Sequence, residues 1–220
     1  MTGVRYTVER RELVQREVIP ASVGVMGDGV LFVDFGRAAF GTLMLEWPEG
    51  WERDSVVVHL GEKLNAEGRI DRSPPGTVRY IRIEQGIERG QERCRIAIPA
   101  DERNTGPMAV KMPDYVGEVY PFRYAEIEDA ADLDAGAVHQ IAVHYPFDDE
   151  ASSFDPSDSV LGAVWDLCKY SIKATTFCGV YVDGDRLDDE PLDVAQVGAL
   201  GLVAERDGDS ATPRAAGAAD

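Results

Sequence analysis

Short apolar and β-branched runs, separated by turn residues, recur along the first 147 residues. Pro48 and Gly50 close one run, and a Ser-Pro-Pro-Gly stretch at 73–76 precedes another. No long helical period occurs before residue 155. The pattern predicts a mainly β fold, a jelly-roll-like β-sandwich over residues 29–150, whose strand order one sequence leaves open. The predicted strands lie at 29–35, 42–47, 55–60, 77–84, 93–98, 121–127 and 138–145.

The pattern changes to a helical period after a polar stretch at 148–153. Asp155 is a suitable N-cap and Pro156 a suitable first residue for a helix that runs to about Thr175. Its apolar positions form a wide stripe that needs a large partner surface, as other helices would provide. This stripe is predicted to be exposed in the 220-residue chain and to promote self-association. Its central residues are Leu161, Trp165, Cys168 and Ile172, flanked by Val160, Val164 and Leu167.

Composition narrows the class of protein. With 44% hydrophobic and 8% aromatic residues, the chain can bury a sizeable core. The net charge of -18 argues against binding to nucleic acid, and is typical either of an ordinary acidic protein from a GC-rich genome or of adaptation to high salt. No apolar run is long enough for a membrane span, and the N-terminus resembles no signal peptide. Three cysteines, Cys94, Cys168 and Cys178, indicate reduced thiols and a cytoplasmic location.

Few side chains suggest a site on their own. His59, His139 and His144 have no zinc-like spacing and are predicted to lie at the surface or at strand edges, so no metal and no cofactor is expected. Trp47 and Trp51 flank a turn and form either a sugar-stacking platform or, with more weight, the packing of that turn. The motifs of nucleotide binding and of serine hydrolysis are absent.

Two regions of the sequence, one at 159–186 and one at 33–64, resemble a known family. SVL at 159–161, VWDLCKYSIKAT at 164–175 and GVYVDGDR at 179–186 are similar to the start of the helical-barrel domain of bacterial α-L-rhamnosidases. VDFGR at 33–37 and HLGEKL at 59–64 resemble the β-sandwich that precedes this barrel. The resemblance covers about residues 29–186. It implies an inverting glycoside hydrolase with an (α/α)6 catalytic barrel, acting on terminal α-L-rhamnosides with two carboxylates ~6.5–9.5 Å apart.

The resemblance also supplies the candidate site and its limits. Asp183, Asp185 and Arg186 are expected to contact rhamnose, whereas by residue type alone they fit an exposed acidic turn. The family places its general acid, a glutamate, directly after this block, but this chain has Leu187 there, so no catalytic residue is assigned. Asp188, Asp189 and Glu190 are interpreted as part of a solvated tail. A frameshift or premature end is the expected cause, since nothing after Arg186 matches.

The predicted organisation is therefore an approach segment at 1–28, the sandwich at 29–150, the start of a helical catalytic domain at 151–186, and an unmatched, disordered tail at 187–220. The favoured function is a fragment of a glycoside hydrolase that removes terminal α-L-rhamnose and is inactive alone. The alternative is a non-catalytic β-sandwich that binds carbohydrate or a partner chain. A complete small enzyme using Asp183 or Asp185 is disfavoured, because two carboxylates on one strand face do not oppose each other.

Overall fold

Eight antiparallel strands and one helix form the regular structure in this computed structural model, which describes residues 11–51, 53–100 and 111–177. These residues belong to one compact unit, residues 1–187. The helix is α1 (Ser159–Ala174), and a single 3-10 turn at Ala135–Ala137 precedes the last strand. The strands are β1 (Val14–Val18), β2 (Ser22–Val25), β3 (Leu31–Glu46), β4 (Ser55–Gly61), β5 (Tyr80–Gly86), β6 (Arg93–Arg95), β7 (Tyr120–Ile127) and β8 (Val138–His144).

Strand β3 connects two parts of the sheet. Its first half lies between β2 and β7, and β7 continues to β4 and β5. Its second half lies between β8 and β6, and β8 continues to β1. At Gly41 the strand pairs with β7 on one side and β8 on the other, so the two parts share this strand.

One hydrophobic core joins the two parts. Inward residues from the first half of β3, Leu31 and Val33, belong to the same buried cluster as Leu43 and Leu45 from its second half. Neighbouring strands add buried residues to that cluster, among them Val58, Cys94, Phe122, Ile127 and Val138. Because both parts of the bent sheet direct apolar side chains into one core, the arrangement is that of a β-sandwich.

The predicted fold class is confirmed: a mainly antiparallel β structure is followed by one helix late in the described chain. Two details differ from the sequence analysis. The runs predicted at 29–35 and 42–47 belong to one continuous strand, β3, with an irregularity in its middle. In addition, β1 and β2 lie within the segment 1–28, for which the sequence analysis predicts no strand.

Helix α1 begins later than predicted. Its N-cap is Asp158, whose side chain accepts a hydrogen bond from the backbone N–H of Val160 at 2.8 Å, so neither Asp155 nor Pro156 opens the helix. An aspartate in this role satisfies one of the free N–H groups of the first turn. None of the helix residues is fully buried. Within the described ranges, no helix has the length and apolar character needed to cross a bilayer.

Candidate functional site

The residues selected from the sequence, Asp183, Asp185 and Arg186, lie outside the described residues. The same holds for Leu187, for Cys178 and for the tail predicted to be disordered. The described part of the chain contains three other features with functional potential: a basic cleft beside α1, a buried ionic cluster under the loop 62–79, and the apolar face of α1.

The basic cleft lies between β1, the middle of β3, β8 and α1, and has a volume of about 410 Å³. Its charged lining consists of Arg16, Arg37 and Lys173, with no aspartate or glutamate. Its floor is apolar and includes Phe35, Ala39, Ala142 and Val143.

A local irregularity in β3 shapes the cleft. The pairing of β3 with β7 shifts between Asp34 and Ala39, and Gly36 has a φ of 81°, a conformation that glycine adopts readily. Asp34 fixes this bend, because its carboxylate accepts from Gly36 N at 2.7 Å and from two nitrogens of Arg123 at 2.8 and 2.9 Å. The hydrogen bonds from Arg123 hold the pKa of Asp34 below its ordinary value. The bend directs Arg37 towards the helix.

Helix α1 closes the cleft from the other side. The hydroxyl of Tyr170 donates to the carbonyl of Ala38 at 2.7 Å, and the guanidinium of Arg37 lies 4.8 Å from the centre of the Tyr170 ring. Lys173 forms an ion pair of 2.7 Å with Asp149. Just beyond the helix, Phe177 stacks on Phe40 of β3 with ring centres 3.7 Å apart. Residues 37–40 of β3, which begin at the last residue of the VDFGR block, therefore contact α1 and the residues just after it.

His144 lies at the cleft and is buried, because α1 covers β8. The predicted surface or strand-edge position is therefore wrong for this residue. Its Nδ1 donates to the carbonyl oxygen of Tyr145 at 2.7 Å, since a carbonyl only accepts. Burial lowers the pKa of His144, and the positive charges of Lys173 and Arg16 lower it further. The hydrogen bond to Tyr145 and the negative charge of Asp149 raise the pKa, but by less. The neutral ring keeps a free acceptor, Nε2, which is buried and has no partner among the described residues.

The second feature is an ionic cluster on the outer face of β4 and β7. Glu126 is fully buried, and its carboxylate accepts from Arg69 at 2.9 Å, from Arg72 at 2.6 Å and from the backbone of Ile70 at 2.7 Å. Burial alone would raise the pKa of Glu126, but these bonds and charges outweigh it and lower the pKa. Arg69 also pairs with Asp28 at 2.7 Å. Every oxygen of Glu126 is thus engaged, which indicates a structural clamp for the loop 62–79.

His59 extends this cluster. It is buried on β4 directly opposite Glu126, which again contradicts the predicted surface position, because the loop 62–79 covers this face. Its Nδ1 lies 2.8 Å from the hydroxyl of Tyr80 and its Nε2 lies 2.7 Å from Glu128. Burial lowers the pKa of His59 more than the bond to Glu128 raises it. Among the described residues, no group of three or more His, Cys, Asp and Glu side chains could hold a metal ion.

The third feature is the apolar face of α1, defined by Val160, Leu161, Val164 and Leu167, which are between 50% and 66% exposed. Cys168 is also exposed, whereas Trp165 is half-buried against Phe154. The two tryptophans pack the turn at 48–50, as the favoured interpretation predicted: Trp47 is buried, and the ring centres of Trp47 and Trp51 lie 5.0 Å apart in a stacked arrangement.

Comparison with known families identifies the sandwich. The profile of the bacterial alpha-L-rhamnosidase concanavalin-like domain matches residues 25–144, which is more than half of the chain. The chain belongs to this family. The match begins at the last residue of β2 and spans β3 to β8, including the VDFGR bend and both buried histidines. Comparison with curated proteins gave no match.

Solved rhamnosidase structures share the fold of this family member. The α-L-rhamnosidase of Streptomyces avermitilis complexed with L-rhamnose aligns with a TM-score of 0.54 and 16% identity over 80% of this chain. The enzyme from Dictyoglumus thermophilum gives 0.55 and 14% over 77%, and that from Aspergillus terreus gives 0.51 and 17% over 77%. The chain spans only 15% to 17% of the length of these three proteins.

Sequence reasoning found the family but missed the cleft. Arg37 belongs to the VDFGR block, in which the resemblance gives it no role, and the spacing of His144 predicts only that it is no zinc ligand. No local pattern marks these residues, which lie far apart in the sequence, and only the sheet register and the packing of α1 bring them together.

Proposed function

We propose that this chain is the concanavalin-like sandwich, together with the first helix of the catalytic region, of a glycoside hydrolase that removes terminal α-L-rhamnose. The observation that carries the proposal is the family match over residues 25–144. The helix that follows the sandwich supports it, because an exposed apolar face is what a helix needs to pack against further helices. The domain division at 29–150, 151–186 and 187–220 is part of this proposal.

The proposed ligands are rhamnosides, and the proposed contacts are Asp183, Asp185 and Arg186. Their support is the sequence block GVYVDGDR at 179–186 and the fold shared with a structure that contains L-rhamnose. Acidic side chains and a guanidinium are suited to hydroxyl groups, which both donate and accept hydrogen bonds.

We further propose that the 220-residue chain does not hydrolyse rhamnosides by itself. Inverting hydrolysis requires a protonated acid and a carboxylate base on opposite sides of the sugar, with a water between them. The position expected for the acid holds Leu187, which carries no proton. The cleft beside α1 has no carboxylate in its lining and offers no substitute pair.

The test is release of the aryl group from an aryl α-L-rhamnoside, measured against a boiled sample. We expect no rate above that background. Weak binding of L-rhamnose that is lost in Asp183→Asn, but kept in Asp132→Asn at an exposed position of the sandwich, would support the proposed contacts. A clear hydrolytic rate that disappears in Asp183→Asn would refute the claim of inactivity.

The second candidate is a non-catalytic sandwich that binds carbohydrate or a partner chain. The exposed apolar face of α1 favours it, because such a face also suits a protein partner or a second copy of this chain. Rhamnose binding separates the first candidate from the partner-binding form of the second: a chain that forms complexes through α1 but does not bind rhamnose fits the latter. The free thiols of Cys94 and Cys168 support a cytoplasmic location as a further part of the proposal.

A further inference from the structure

The cleft beside α1 differs in charge from the rest of the protein. The chain carries a net charge of -18, yet the cleft is lined by Arg16, Arg37 and Lys173 and by no acidic residue. Lys173 is neutralised by Asp149. Arg16 and Arg37 are exposed and form no ion pair with any described residue. Arg37 lies over the face of Tyr170, an arrangement that leaves its N–H edge available.

Two arginines without acidic partners favour an anion. A guanidinium presents its N–H donors in a planar fork that matches a carboxylate, and these charge-assisted bonds are stronger than neutral ones. The surrounding negative surface repels anions, so attraction of an anion into the cleft depends on the local positive charge of the two arginines.

His144 adds a second requirement. Its Nδ1 is used by the carbonyl of Tyr145, so its buried Nε2 is a free acceptor in the neutral ring. A buried acceptor without a donor costs free energy. Because Nε2 has almost no accessible surface, a small side-chain movement at the cleft is needed before a hydroxyl group of a ligand can donate to it and relieve that cost. The apolar floor suits the carbon face of such a ligand, and a volume of about 410 Å³ accommodates a monosaccharide.

We propose that this cleft binds a small hydroxylated carboxylate of the size of a sugar acid. Arg16 and Arg37 bind the carboxylate, and His144 accepts a hydrogen bond from a hydroxyl group. The proposal concerns a site separate from residues 183–186 and does not depend on rhamnoside hydrolysis.

Calorimetric titration of the whole chain with D-glucuronate, D-glucose and acetate tests the ligand class. We expect glucuronate to bind at least about tenfold more tightly than glucose, which lacks the charge, and than acetate, which lacks the hydroxyl groups. Absence of glucuronate binding would overturn the proposal. Acetate binding as tight as that of glucuronate would reduce the cleft to a general anion site and overturn the role of His144.

Variants test the location. Arg16→Gln and Arg37→Gln should each weaken glucuronate binding at least about tenfold, whereas Arg53→Gln, an exposed arginine that lies over Trp51 outside the cleft, should not. His144→Phe removes the acceptor and keeps a ring of similar shape, and should weaken glucuronate while leaving acetate unchanged. Thermal melts identify variants that fail to fold. If His144→Phe fails to fold, the two variants of exposed arginines test the site on their own. Binding that survives both arginine variants, or that falls equally in Arg53→Gln, would refute the site.

Discussion

Glu126 is a carboxylate with no solvent exposure, an unusual environment for this side chain. A carboxylate with no solvent exposure is costly unless its charge and hydrogen bonds are satisfied, and here two arginines and a backbone N–H satisfy it. The arginines belong to the loop 62–79, so this one carboxylate attaches the loop to β7. Its neighbour His59 is buried by the same loop.

Glu126→Gln is expected to lower the free energy of unfolding by about 2 to 3 kcal/mol, because the amide keeps one acceptor but removes the counter-charge of Arg72 and leaves Arg69 with Asp28 alone. Urea denaturation measures the loss. Glu84→Gln is the matched control: Glu84 pairs with Arg82 at the surface, and its loss should cost at most about 0.5 kcal/mol. Equal losses in the two variants would contradict the clamp.

Stability should also depend on pH through the buried histidines. The pKa values of His59 and His144 are lowered from 6.5 in the folded protein, so the unfolded chain binds more protons below that pH. Their contribution is therefore fully present above about pH 6.5 and is lost as the pH falls, by at most about 1.4 kcal/mol per pH unit for each histidine.

Urea denaturation between pH 8 and pH 5 tests this dependence. We expect a smaller slope in His59→Gln and a smaller one still in the double variant His59→Gln, His144→Gln. A double variant with the slope of the unchanged chain would show that other groups cause the acid sensitivity.

At the scale of elements, the crossing of β3 between the two parts of the sandwich depends on Gly41. A Cβ at this position would overlap the carbonyl oxygen of Ile141 in β8, and backbone atoms of a paired strand cannot move aside. Only glycine permits the approach.

Gly41→Ala should therefore destabilise the sandwich by about 3 kcal/mol, the upper end of the cost of overpacking. Gly24→Ala in β2 is the control, since a Cβ there meets nothing within 4 Å. Thermal unfolding of both variants measures the difference. A Gly41→Ala protein as stable as Gly24→Ala would contradict the close pairing of β3 with β8.

The apolar face of α1 should cause self-association of the 220-residue chain. Four adjacent apolar side chains that are at least half exposed form a patch of the kind that marks an interaction surface. Light scattering after gel filtration should show mass increasing with concentration, and Val164→Ser with Leu167→Ser should abolish the increase. Asp166→Asn, an exposed position on the same helix, is the control. A monomer at all concentrations would count against this surface.

For the whole molecule, two electrostatic effects oppose each other. The net charge of -18 makes the folded state repel itself, and added salt screens that repulsion. Salt also weakens exposed ion pairs such as Arg82–Glu84 and Arg93–Glu17, but each such pair contributes at most about 1 kcal/mol. The excess charge should outweigh them.

We therefore expect the unfolding temperature to rise as sodium chloride increases from about 0.05 to 0.5 M, over which the Debye length falls below ~10 Å. Sucrose at matched osmolality controls for general effects of the cosolute. A fall in unfolding temperature with salt would mean that attractive pairs dominate the surface.

The sequence by itself determined the mainly β class, the helix that follows the sandwich and the family, because these depend on local patterns: alternation along a strand, the helical period and short motifs. The tertiary structure decided which polar residues are buried and where they meet. Arg69 binds Glu126 across 57 residues and Tyr170 binds Ala38 across 132. It also decided that one strand runs through both parts of the sandwich, and that His59 and His144 lie under covering segments. These outcomes follow from strand register and from packing of the loop 62–79 and α1, and no local stretch of sequence records either one.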